Sequence, residues 1–187
     1  MKVKKQYTFL NKMAKGNGIV LWGSTSLEKQ PINELLQNFD VSKNIYNRSV
    51  SGLTLAAAED CLEQCVYELK PSKVIINLGE EDLKDSDDVA RLVEQYRWIL
   101  YKIHVALPKC QLIVTTVQSK SESCDCFNEE LKKLAEEFGC TFYQIPAVPD
   151  GEEYGAVFLS AVKLSLYDSK LGYSGIATRA VFDLMMQ

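Results

Sequence analysis

Short apolar runs, each cut off by a glycine or a polar turn, alternate along the chain with stretches whose apolar residues recur every three to four positions. Gly18-Ile-Val-Leu-Trp22 is the first run and stops at Gly23, the pattern of a strand buried on both faces. Asn44–Val50 is a weaker strand ending at Ser51-Gly52, and Lys73–Leu78 is a third, stopped by Gly79. Gln111–Val117 is β-branched and the clearest strand of all. Cys140–Ile145, ending at Pro146, makes a fifth. Between them, Leu53–Lys70 carries Leu55, Ala58, Leu62, Val66 and Leu69 at close to the 3.6-residue period and predicts one helix. Asp87–Leu107 and Asn128–Phe138 predict two more, and a last helix is expected from about Tyr173 to the end. Ser119–Cys126 and Ala147–Gly155 read as longer loops.

Strand and helix alternation of this kind implies an α/β fold: a mostly parallel sheet with helices on both faces. Five strands in one three-layer domain over residues 1–187 suit the flavodoxin-like order 2-1-3-4-5. Ligands of such sheets bind beyond the carboxyl ends of the strands, where the order reverses between strands 1 and 3. That topology brings Gly23-Ser24-Thr25-Ser26 beside Gly79-Glu80-Glu81-Asp82, with Ser51-Gly52 adjacent. The crowded acids Glu80, Glu81 and Asp82 could raise one pKa enough to make a base, or gather a divalent cation; the simpler reading, preferred for Glu80 and Asp82, is of solvated loop or helix-capping residues.

Composition narrows the chemistry. Of 187 residues, 21 are Lys or Arg and 25 Asp or Glu, a net charge of −4 that gives no electrostatic reason to expect nucleic acid or an anionic membrane as partner. There is one histidine, His104. It falls near the C-terminal end of the helix after strand 3, which a right-handed crossover carries to the amino edge of the sheet. A histidine base at the opposite edge would have to come from elsewhere. The six cysteines do not have zinc-knuckle spacing. With no apolar signal core after Met1 and no run long enough to span a bilayer, a reduced, cytoplasmic protein without metal or cofactor is expected. Trp22 and Trp98 are expected in the core or half-buried, and nothing decides the oligomeric state.

The three loops, in this order, resemble the blocks of the SGNH or GDSL hydrolases, a family of small esterases and acylhydrolases. Val20-Leu-Trp-Gly-Ser-Thr-Ser26 is similar to the strand and loop carrying the family's nucleophile. Asn47-Arg-Ser-Val-Ser-Gly52 resembles the second block with its oxyanion-hole glycine, and Ile75–Asp82 the third, usually Gly-x-Asn-Asp. Leu171-Gly-Tyr173 resembles the Gly-Tyr that follows the catalytic histidine. By this resemblance Thr25 takes the nucleophile slot, Ser24 the aspartate slot beside Gly23, and Gly52 offers its N–H. Glu81 stands where the family has an asparagine that donates to the oxyanion; an ionised glutamate would repel that charge. Counting back from Gly172-Tyr173 puts Tyr167 at the histidine position, with Asp168 beside it and Leu164 at the family's aspartate.

Loss of a triad serine or histidine typically costs on the order of a million-fold, about 8 kcal/mol. The leading expectation is therefore a degenerate hydrolase-like domain that keeps a cleft for a small molecule, such as an acyl or carbohydrate ester, or serves as an interaction module. Gly23, Ser26, Arg48, Gly79, Glu80, Asp82 and Asp168 would line that cleft. A second expectation is an altered hydrolase, with Thr25 or Ser24 as nucleophile and Glu81 or Asp82 as base. A third is anion or nucleotide binding at the Gly23–Ser26 loop, where N–H groups and hydroxyls meet a helix start.

Overall fold

The computed structural model describes residues 2–148 and 153–167. Its strands are β1 (Ile19–Gly23), β2 (Ile45–Asn47), β3 (Lys73–Asn77), β4 (Gln111–Thr115) and β5 (Thr141–Tyr143), all parallel and ordered β2-β1-β3-β4-β5. The helices are α1 (Lys2–Asn11), α2 (Thr25–Glu28), α3 (Ile32–Leu35), α4 (Leu55–Glu59), α5 (Leu62–Cys65), α6 (Asp82–Asp85), α7 (Val89–Ala106), α8 (Cys124–Glu137), α9 (Tyr154–Ala161) and α10 (Lys163–Leu166). Each of the five expected strands is present; β1 is shifted by one residue to include Gly23, and the others are trimmed by one to three residues at an end. The helix expected from Tyr173 lies outside the described residues.

Every residue of β1 and β3 is buried, because successive side chains feed two different cores. Val20, Trp22, Val74, Ile76 and Val114 face α4, α5, α7 and α8. Ile19, Leu21, Ile75 and Ile113 face α2, α3, α9 and α10. Two-sided burial explains why these strands read as continuous apolar runs rather than alternating ones. On α7, Leu92, Val93, Tyr96, Ile99, Leu100 and Ile103 are all buried on one stripe, and Asp88 caps the helix by accepting from the Arg91 N–H at 3.1 Å.

Three segments depart from their sequence reading. The single helix expected over Leu53–Lys70 is broken into α4, α5 and a 3₁₀ turn at Tyr67–Leu69. Its buried residues Leu55, Ala58, Leu62, Cys65, Val66 and Leu69 still face the sheet, and i→i+3 bonds such as Cys61 N–H to Ala58 O bend the segment over it. Part of the expected loop Ala147–Gly155 is the start of α9, whose sequence is apolar nearly all round and carries no amphipathic period. Likewise α8 begins at Cys124, inside the expected loop Ser119–Cys126. The polar α1 is held by tertiary contacts: Tyr7 donates to Ser49 O at 2.6 Å, and the Asn11 amide donates to Gln64 O at 2.7 Å.

Gly79 shows why β3 must end where it does. Its φ is +114°, and a Cβ there would lie 2.5 Å from the Phe127 ring, which is itself fully buried. Both the backbone conformation and the space exclude a side chain. Gly79→Ala is expected to destabilise the protein by about 2–3 kcal/mol, measured by urea unfolding. A loss below about 0.5 kcal/mol would show that Phe127 yields freely.

Candidate functional site

The carboxyl ends of β1, β2 and β3 deliver three loops to one edge of the sheet. β1 and β3 approach so closely that a Cβ on Gly23 would meet Asn77 O at 2.9 Å. Ser24 is fully buried, and its hydroxyl has no partner among the described residues. Thr25 is partly exposed and opens α2. Its Oγ1 accepts the Gly52 N–H at 2.8 Å and lies 3.2 Å from Ser51 Oγ. Gly52 reaches this position with φ +73°, where an L-residue is disfavoured. The site therefore joins Thr25 to Ser51 and Gly52, the pair expected beside it.

The three neighbouring acids have three different occupations. Glu80 is 3% exposed and accepts the Ser26 N–H at 2.7 Å, tying the end of β3 to the first turn of α2. Asp82 accepts the Leu55 N–H with both oxygens, at 3.1 and 3.0 Å, and so holds the start of α4. Glu81 alone stands next to Thr25. Its Oε2 accepts from the Lys84 ammonium at 2.7 Å, while Oε1 is buried without a well-formed bond. The Thr25 hydroxyl is near enough to favour the ionised carboxylate, although it makes no hydrogen bond of good geometry with it.

These occupations set the protonation states. Burial pushes the Glu81 pKa up, but the Lys84 and Thr25 contacts and the charges of Lys84 and Lys29 outweigh it, leaving the pKa below the ordinary 4.5. Asp82 moves the other way: its burial outweighs the N–H donation from Leu55 and raises its pKa above 3.8. Crowding thus does not turn Glu81 into a proton carrier near neutrality, and the raised group, Asp82, is committed to Leu55. The anion-binding expectation meets a similar obstacle, since the Ser26 N–H is already given to Glu80.

A polar network that the sequence reading missed lies beneath the site. Asn77, fully buried, donates to Thr115 Oγ1 and Thr116 O, both at 2.8 Å, and accepts from the Tyr154 hydroxyl at 3.1 Å. It pins β4 and α9 to the end of β3. Asn47 does the same for β2, donating to Leu27 O at the close of α2 and accepting the Ser49 N–H. A polar residue ending an apolar run, as Asn77 does, was the available signal.

Other expected site residues are not brought to Thr25. Arg48 does not reach the cleft. It is 6% exposed, lies between the Tyr7 and Tyr46 rings at 5.0 and 5.3 Å, and donates to Asn11 Oδ1 and Asn47 O. Its stem points under α1 because polar backbone at the open edge of β2 needs covering; the same burial pushes the Tyr7 phenol up to about 12. Tyr167 gives its carbonyl to the ammonium of Lys73, the first residue of β3, at the far end of that strand from Gly79. The returning helices α9 and α10 carry the chain back along the sheet to this point. Asp168, Gly172 and Tyr173 lie outside the described residues. His104 is exposed on the last turn of α7, as its place in the crossover requires. Trp22 is in the core as expected, whereas Trp98, expected in the core or half-buried, is exposed on α7. Among the described residues no helix is long and apolar enough to cross a membrane, and no cluster of three or more metal-ligating side chains occurs.

Neither a protein-family model nor a curated protein matches the sequence. Solved structures do match the fold. A Streptococcus pneumonia protein, provisionally described as a platelet activating factor, is 18% identical, covers 89% of this chain and 92% of its own, and superposes with a TM-score of 0.76. A GDSL-like lipase from Bacteroides thetaiotaomicron is 14% identical over 87% of this chain and 96% of its own, with a TM-score of 0.70. Axe2, an acetylxylan esterase from Geobacillus stearothermophilus, is 16% identical over 83% and 99%, with a TM-score of 0.60. The fold is that of the SGNH and GDSL hydrolases.

The Glu81 geometry has a measurable signature. A carboxylate whose folded pKa lies below its unfolded value stabilises the fold above the unfolded value, here about pH 4.5, and the contribution fades as pH falls through the folded value. Its partner Lys84 is largely exposed, so the pair is worth less than about 1 kcal/mol. Glu81→Gln is expected to lower stability at pH 7 by no more than that and to flatten the stability–pH curve below pH 4.5, followed by urea unfolding at several pH values. A steeper acid limb in the variant would contradict the assignment.

Proposed function

We infer that this chain is an SGNH-hydrolase-like protein in which the Thr25 site does not turn over esters efficiently and serves instead as a shallow recognition surface. The observation that carries this reading is the ionised Glu81 beside Thr25 and Gly52. The tetrahedral intermediate of acyl transfer needs donors where negative charge develops. The one N–H at hand, that of Gly52, donates to Thr25 Oγ1, and Glu81 presents a carboxylate oxygen whose lowered pKa keeps it from acquiring a proton to donate. The reading is also supported by the distance of the histidine: His104 is the sole histidine of the chain and sits at the opposite edge of the sheet. A threonine hydroxyl without a base is a weak nucleophile. Likeness of fold does not weigh against this, because function resides in the site rather than the scaffold.

One observation favours the second reading, an altered hydrolase. Glu81 Oε1 is buried next to Thr25 and lacks a full partner, the position a general base would need. Its depressed pKa makes it a weak base at neutral pH, which is why the first reading is preferred. The ligand class that fits either reading is a small ester of an acyl or carbohydrate compound.

Hydrolysis of p-nitrophenyl acetate separates the two. The expected result is turnover at the buffer rate, unchanged in Thr25→Ala. Turnover well above background that is lost in both Thr25→Ala and Glu81→Gln would overturn the first reading in favour of the second.

A further inference from the structure

A cavity of about 270 Å³ lies between α1, the end of α2 and the open edge of β2. Thr25, Ser51 and Glu81 do not line it. Two of its lining residues are polar and almost fully buried: Arg48 is 6% exposed and Ser49 1%. The Ser49 hydroxyl has no hydrogen-bond partner among the described residues, whereas most buried polar atoms find one. The Ser49 backbone is already engaged, its carbonyl by the Tyr7 hydroxyl and its N–H by Asn47 Oδ1. Only Oγ is left over.

Arg48 brings a charge that none of its partners balances. Among the described residues no carboxylate lies within ion-pairing distance of it. Asn11 Oδ1, Asn47 O and the Tyr7 and Tyr46 rings, which do surround it, are all neutral. Buried charges are ordinarily paired, and burial pulls the Arg48 pKa below its usual value. A guanidinium carries five N–H donors. Asn11 takes one from Nε and one from Nη2, and Asn47 takes one from Nη1. One N–H therefore remains on each terminal nitrogen, a donor pair of the kind that a carboxylate meets with its two oxygens. Leu10, Ile45 and Tyr46 add apolar surface to the wall. Glu28, exposed at the end of α2, is the one acid in the lining. Its charge opposes an anion, and opposes a dianion about twice as strongly.

We propose that this cavity binds a small monocarboxylate with a short apolar tail. The carboxylate accepts from the two remaining Arg48 N–H groups and from the Ser49 hydroxyl, and the tail lies against Leu10 and Ile45. An uncharged amide of the same shape leaves the Arg48 charge unbalanced. A doubly charged phosphate meets more repulsion from Glu28. This site is independent of what Thr25 does.

Titration of the isotope-labelled protein with sodium butyrate, followed by the NMR signals of the Arg48 Nε–H and the Ser49 amide, tests the assignment. Both signals are expected to shift saturably at about millimolar butyrate. Butyramide should bind at least about tenfold more weakly. Inorganic phosphate at about pH 8, where it is largely a dianion, should bind at least about threefold more weakly. Sodium chloride at equal ionic strength should leave the signals in place. Substituting Arg48 risks unfolding the edge it holds, so its neighbours are varied instead. Ser49→Ala should weaken butyrate binding by about threefold to tenfold, and Glu28→Gln, at an exposed side chain, should tighten it by about twofold. The proposal is overturned by the absence of a saturable shift with butyrate, by butyramide or phosphate binding as tightly, by chloride producing the same shift, or by unchanged affinity in Ser49→Ala or Glu28→Gln.

Discussion

A buried carboxylate ties this structure together at its working edge. Parallel strands end side by side, and the loops that follow must satisfy backbone groups that no further strand will pair. Glu80, 3% exposed, meets this need by accepting the Ser26 N–H. Asp82 does so for Leu55, and the Gly52 N–H is turned onto Thr25. These three ties connect the loops after β1, β2 and β3. A buried carboxylate left unpaired would be costly, so Glu80 is bound to its position by its own desolvation, and the partly buried Asp82 is held by the Leu55 N–H.

The chemistry follows from what these ties leave over. Of three adjacent acids, two are consumed in construction, and the third, Glu81, faces Thr25 in its ionised form. The chain shares its fold with a GDSL-like lipase and an acetylxylan esterase at TM-scores of 0.70 and 0.60, yet identities of 14 and 16% leave the edge loops free to differ. A sheet whose cores lie on its two faces does not constrain the residues at its carboxyl edge, so the edge chemistry can drift while the scaffold persists.

Much of the scaffold was legible because burial leaves a periodic trace. The five runs of β-branched and aliphatic residues, and the stripes on α7 and α8, recur at the spacing their geometry requires. Legibility failed where periodicity is absent or misleading. Residues 154–161 are apolar all round and were read in part as loop. Leu53–Lys70 keeps its buried stripe while bending into two helices and a 3₁₀ turn, since the stripe records which face is buried and not whether the axis is straight. Arg48 and Tyr167 were both given to the site. Arg48 is instead drawn beneath α1 by Asn11 and two tyrosine rings, and Tyr167 is held by Lys73 at the other end of β3.

From its residues alone, this chain determines a five-stranded parallel sheet in the order 2-1-3-4-5, the meeting of the Gly23, Gly52 and Gly79 loops at one edge, and the exclusion of His104 from that edge. These follow from local pattern and from the handedness of crossover connections. Only the tertiary structure decided which acid serves which N–H, that Glu81 falls in pKa while Asp82 rises, and that Asn77 anchors the network beneath the site. Apart from the pairing of Glu81 with Lys84 three positions on, those outcomes depend on partners 26 to 77 positions away in sequence. A hydrogen bond's worth is set by the burial and geometry of both ends, and a linear pattern carries information about one end at a time.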